Sequence, residues 1–175
     1  MRILLSATFI AALALAAPSY ALTASQTVEK EIVVQLPDGT ETLSREKADT
    51  VTPGERVVYT LSFTNDSTQP ATDLILTMPV PKEVRYMEGS ATDLNMVPVF
   101  SADGGTNFST REQLQVLNND GQFQAASSGD ITHIRWTVPG PLAIGETDNL
   151  AFKGCLLYTS PSPRDRTRSR MPSSA

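Results

Sequence analysis

Large apolar side chains recur at every second position in Val57, Tyr59, Leu61 and Phe63, the period of a β-strand with one face buried and one wet. A helix at this spacing would scatter those side chains around its axis, so the stretch can bury them together only as a strand. Asn65-Asp66-Ser67-Thr68-Gln69-Pro70 then breaks the run with turn formers. The alternation resumes in Leu74, Leu76 and Met78 until Pro79 and Pro81 stop it. Val51 to Pro81 therefore reads as two consecutive strands around a polar turn, and it carries no catalytic group.

The ends differ from this body. Met1 to Ala21 has the parts of a secretory signal: Arg2, an apolar run from Ile3 to Ala17, and Ser19-Tyr20-Ala21 as a small-x-small site. A signal helix cleaved after Ala21 is expected. The apolar run is shorter than the ~20 residues that span a bilayer, and Pro18 ends it. From Cys155 the composition turns basic and Pro/Ser-rich. Cys155 to Asp165 and Ser169 to Ala175 resemble the conceptual translation of a transposon-based sequencing-library adapter, with Arg166-Thr167-Arg168 in the place of the index. The alternative is a natural basic, disordered tail. Residues 155–175 are accordingly set apart from the fold as a disordered artefact, leaving a C-terminally truncated domain over 22–154. Leu156 to Thr159 is nevertheless strand-compatible and is expected to prolong the last strand.

About 130 residues remain, enough for one domain with one core. Its nine bases, Lys30, Arg45, Lys47, Arg56, Lys82, Arg85, Arg111, Arg135 and Lys153, face twice as many acids. An acidic body without a basic cluster does not suit nucleic acid, whose binding displaces counterions with Lys and Arg. The single cysteine, Cys155, lies in the tail, so the domain relies on no disulfide. With one histidine, His133, it lacks the usual ligands for zinc, haem or thiol chemistry, and no cofactor is expected.

Along the chain, Val28 to Leu36 is the first expected strand, turned by Pro37-Asp38-Gly39-Thr40 into an irregular polar segment, Glu41 to Val51, containing a short charged edge strand. Val84 to Met87 and Val97 to Phe100 are short strand candidates. Asp103-Gly104-Gly105 and Asn118-Asn119-Asp120-Gly121 carry hairpin signals. Ile131 to Val138 places Ile134, Trp136 and Val138 on one face and His133, Arg135 and Thr137 on the other; Leu150 and Phe152 alternate in the last strand, Asn149 to Gly154. Trp136, the only Trp, is the expected centre of a core that includes Tyr59, Leu61, Phe63, Leu74, Leu76 and Ile134.

Pro53-Gly54, Tyr59 to Asn65, Ala71 to Met78, Pro79 to Pro81 and Gly89-Ser90-Ala91 are similar to the pattern of a repeat domain of unknown function (DUF11-like) found in bacterial exported and surface proteins. The likeness continues in Phe100 to Gly105, Ile134-Arg135-Trp136 and Pro139 to Leu142. It implies an Ig-like antiparallel β-sandwich, about seven to nine strands by analogy with such folds. The resemblance brings no defined activity.

Four features bear on a site. Asp103, Asn119, Asp120 and Asp130 could offer oxygens to calcium, but the D-x-[DN]-x-[DN]-G spacing with a distal Glu is absent and turn chemistry explains them. His133 has no nucleophile to serve and reads as a surface residue. The many carboxylates nominate no facing pair for glycoside hydrolysis. Tyr86, Phe108 and Phe123 could stack on sugars if exposed. The expectation is a non-enzymatic, monomeric structural or interaction module of the envelope or surface of a Gram-negative bacterium, with a protein or glycan partner. A carbohydrate- or surface-binding module, calcium optional, is the alternative.

Overall fold

The computed structural model describes residues 21–91 and 96–157. The expected signal helix and the tail from Tyr158 onward lie outside the described residues. Among those described there is no helix, and the chain forms ten antiparallel strands.

The larger sheet has the order β2-β1-β3-β10-β5. Its strands are β1 (Leu22–Gln35), β2 (Glu41–Lys47), β3 (Arg56–Asn65), β5 (Val84–Tyr86) and β10 (Thr147–Leu156). A second sheet of β4 (Ile75–Pro79), β9 (His133–Thr137) and β6 (Val99–Ser101) has β9 at its centre. β7 (Gln115–Leu117) and β8 (Phe123–Ala125) form a separate ribbon.

β3 is central because its alternation satisfies both neighbours. Tyr59 lies opposite Val28 on one side and Phe152 on the other. The Tyr59 and Phe152 rings stack 4.9 Å apart with their planes 10° from parallel. Tyr86 completes the aromatic group, tilted against Phe100 and Phe152. Met78 of β4, Ile134 and Trp136 of β9 and Phe100 of β6 join the same core, so both sheets share it. Trp136 is fully buried and its indole N–H donates to the Ala91 carbonyl at 3.0 Å, which satisfies its one polar atom. Tyr59, Phe63 and Ile134 are buried, whereas Leu61, Leu74 and Leu76 are half-buried and pack against the core from its margin.

Several boundaries differ from those expected. β1 begins at Leu22 rather than Val28, because Thr23 to Thr27 pair residue for residue with Thr60 to Thr64 of β3. A polar segment without apolar alternation becomes a strand when a neighbouring edge supplies its hydrogen bonds. The Ala21 carbonyl prolongs this ladder by accepting the Asp66 N–H at 3.0 Å. The polar segment after Thr40 is an ordered, fully exposed edge strand over Glu41–Lys47. At the other end β10 runs past Gly154 into the strand-compatible start of the tail, as far as Leu156: Cys155 pairs with Arg56 and Arg85, and Leu156 with Val84, in keeping with the expected prolongation.

Gly154 allows that passage. A methyl group there would lie 3.1 Å from the Arg85 carbonyl oxygen and overlap Val84 Cγ1. Only a residue without Cβ lets β10 and β5 approach so closely.

Asn65, read from sequence as the start of a turn, is instead the buried last residue of β3. Its amide donates to the carbonyls of Gln69 and Leu142, each at 2.9 Å. Its Oδ1 accepts from the Ser67 N–H at 3.1 Å and the Ser67 hydroxyl at 2.6 Å. One side chain thus ties the 66–70 turn to the segment that precedes β10, as a buried amide must if its polar atoms are to be paired.

Candidate functional site

An open groove of about 570 Å³ between the 102–109 loop and the β7–β8 ribbon gathers several chemistry-bearing side chains. Asp103, Asn107, Ser109, Gln113 and Gln115 supply polar groups to it, and Leu114, Val116 and Phe123 supply apolar ones.

The ribbon is built by its turn. Asn118 Oδ1 accepts the N–H groups of Asp120 at 3.0 Å and Gln122 at 2.9 Å. Gly121 takes a φ of 73°, a left-handed value that glycine adopts without strain. The reversal sets Phe123 opposite Leu117, and both remain largely exposed, at 71% and 63%.

The facing loop is organised by Asp103. Its carboxylate accepts from the Asn107 N–H at 2.9 Å, the Asn107 amide at 2.7 Å, the Ser101 hydroxyl at 2.7 Å and the Thr106 N–H at 3.1 Å. These donors, the Asn107 backbone first, hold the carboxyl far below the ordinary aspartate range even though it faces solvent. Beneath it the Ser101 hydroxyl is fully buried and also accepts the Gly105 N–H at 2.9 Å.

Of the calcium candidates, Asp103 is committed to its own loop. Asp130 accepts the Ser127 hydroxyl and N–H, both at 2.7 Å, and the hydroxyl leads in lowering its pKa. Asn119 and Asp120 sit exposed at the tip of the β7–β8 turn. The structure does not bring the four together as one cluster: no group of three or more His, Cys, Asp or Glu among the described residues is placed to hold a metal.

His133 is half-buried, with Nδ1 3.2 Å from the Thr132 hydroxyl and its ring against Gly105. The aromatic candidates separate into three cases. Tyr86 is buried, contrary to its reading as an exposed stacking residue, and its hydroxyl accepts the Ala91 N–H at 3.2 Å. Burial leads in pushing its phenol up. Phe108 has one face covered by the Arg135 guanidinium, 3.5 Å from the ring centroid, a cation–π contact. Phe123 alone presents its ring openly. Its exposure could have been suspected from its place just after the Asn-Asn-Asp-Gly turn, where a short ribbon has no second layer to cover it.

A second concavity of about 290 Å³ lies beside Tyr86, Val97 and Arg111. Its guanidinium is already taken: Arg111 Nε and Nη2 form a fork on the Glu88 carboxylate at 2.7–3.1 Å.

Comparison of the chain with protein-family models, with curated proteins and with solved structures returns no match, so the resemblance to the exported repeat domain rests on the motif residues themselves.

Proposed function

We propose that this chain is a non-enzymatic interaction module of Ig-like sandwich architecture, exported to the envelope or surface of a Gram-negative bacterium. The observation that carries this reading is how the loops are held. Asn65, Asp103, Asn118 and Asp130 each spend their side-chain oxygens on neighbouring backbone and hydroxyl donors. Such loops are stiffened for display, whereas an acid, base or nucleophile needs a lone pair or proton directed at a substrate. The shared core of two sheets supports the sandwich, and the motif residues support its Ig-like character. The signal-like pattern ending at Ala21 supports export, and β1 starts at Leu22, the first residue that cleavage would leave.

Expression in a Gram-negative host followed by mass spectrometry of the periplasmic fraction tests export. A mature chain beginning at Leu22 is expected; an intact Met1 terminus confined to the cytoplasm refutes it.

Phe123 favours a second reading, a carbohydrate-binding groove. An open aromatic face beside Asn107, Gln113 and Gln115 has the chemistry that stacks on a sugar ring and hydrogen-bonds its hydroxyls. Glycan-array binding by the full chain that is lost in Phe123→Ala, with unchanged melting temperature, supports it. Silence on the array leaves the first reading.

A further inference from the structure

We propose that β2 is a self-pairing edge, through which two copies of this chain join their larger sheets across a two-fold axis at Leu43. The proposal is independent of the export and glycan readings.

β2 is the outer strand of the larger sheet, and among the described residues no strand pairs with its other side. All seven of its residues are exposed. Its partner β1 outruns β3: Glu31 is the last β1 residue that β3 reaches, opposite Arg56, and from Ile32 to Gln35 the only neighbour is β2. The sheet therefore ends in a projecting two-stranded ribbon. Such ribbons are marginal in water by themselves, yet this one carries Val33 at 61% exposure and Leu43 at 56%, directly opposite each other.

The ladder fixes which backbone groups are free. Leu36 N–H donates to Thr40 O, and Ala48 N–H donates to Val28 O. Hydrogen-bonded pairs alternate with non-bonded ones in an antiparallel ladder. Thr42, Ser44 and Glu46 thus spend their backbone groups on β1, while Glu41, Leu43 and Arg45 direct theirs outward. Placing a second β2 antiparallel with Leu43 opposite Leu43 sets Glu41 opposite Arg45 twice and Thr42 opposite Ser44 twice. Each of the outward residues then meets another outward residue, so the three pairs 41–45, 43–43 and 45–41 can all form hydrogen bonds.

The side chains agree with this register. Glu41, Leu43 and Arg45 share one face with Val33 by strand alternation, so the joined sheets carry a Val33-Leu43-Leu43-Val33 stripe flanked by opposite charges. No like charges face each other, because Glu46 and Lys47 fall opposite Thr40 and Gly39. Arg45 keeps freedom to turn: its nearest acid, Glu31, is 4.0 Å away and its own side chain is 47% exposed. Charges that would repel a random strand are thus complementary to a second copy of themselves, the self-match that a two-fold interface demands.

Sedimentation velocity of the full chain over a wide concentration range tests this. A reversible monomer–dimer equilibrium is expected. Leu43→Pro removes the central outward N–H, a change an edge strand tolerates when that N–H faces solvent. Glu41→Arg sets two arginines opposite each other at both ends while leaving the Glu31 contact alone. Each variant is expected to weaken the dimer about tenfold or more with little change in melting temperature of the monomer. A mixture of Glu41→Arg and Arg45→Glu chains restores opposite charges at both ends and is expected to form the heterodimer. A chain that stays monomeric to its solubility limit overturns the proposal, and so does a dimer that survives both Leu43→Pro and Glu41→Arg.

Discussion

Replacing Asn65 by aspartate changes one atom group and reverses the electrostatics of a buried knot. The wild-type amide donates to two carbonyls and accepts two bonds from Ser67. At roughly 1 kcal/mol net for each neutral hydrogen bond, the four would be worth about 4 kcal/mol. The orphaned carbonyls are partly compensated, since Leu142 O still accepts the Ala71 N–H at 2.9 Å, and the single Ser67 hydroxyl proton, no longer drawn by Asn65 Oδ1, is free for Gln69 O 2.6 Å away. Asn65→Ala is therefore expected to cost about 3 kcal/mol. Asn65→Asp keeps the acceptor side but turns an ionised oxygen toward the Gln69 and Leu142 carbonyls, in a site with no solvent access. At neutral pH it should be at least as destabilised as the alanine variant. Protonation relieves this, so the carboxyl pKa is raised in the folded state. A raised folded pKa means that the folded chain binds more protons than the unfolded one. The relief is therefore fully present below the unfolded value of about 3.9 and is lost as pH rises through the folded value. Urea denaturation of both variants and the wild type at pH 3.5 and pH 7 reads this directly. An Asn65→Asp stability gap that is absent at pH 7, or equal at both pH values, would refute the assignment of the amide as donor to both carbonyls.

Trp136→Ala should cost about 3–5 kcal/mol, by cavity formation and loss of the bond to Ala91; a melting temperature within a degree or two of wild type would contradict its central position. Gly154→Ala should cost about 1–3 kcal/mol through overlap with Val84, and Val84→Ala in the same chain should recover part of it; additive losses would argue against the close approach. Asp103 has a lowered pKa, so its contribution is present above the unfolded value of about 4 and is lost as pH falls below it. Asp103→Asn should accordingly flatten the acid limb of a melting curve taken against pH, and superimposable limbs would refute the role given to its loop bonds.

What the sequence discloses depends on whether a residue's partner is nearby in the chain. Val57 to Phe63 and Ile134 to Val138 announce their buried faces by alternation alone, and Asn118 to Gly121 announces a turn by its own local bonds. Thr23 to Thr27 does not, because its strand character comes from β3, some forty residues away in the chain. Asn65 and Tyr86 mislead for the same reason. A polar residue before a turn and a tyrosine in a short strand look exposed until Leu142 and Phe152, both more than sixty residues away, supply the partners that let them be buried. In the groove, the role of Asp103 as a turn residue was legible in Asp-Gly-Gly. The bare ring of Phe123 was legible only as one aromatic among three, since sequence does not say which ring another element will cover.

The place of β10 in the larger sheet bears on the order of folding. This last described strand lies between β3 and β5, and its partners Thr60 and Val84 precede it by more than sixty residues. β1 to β3 can assemble as they emerge, but β3 then waits with an open edge and β5 has no sheet to join. Loop closure over such separations is slow and must precede the contacts that reward it. Until β10 arrives, the chain can hold only a three-stranded sheet in the order β2-β1-β3, and β5 joins that sheet only through β10.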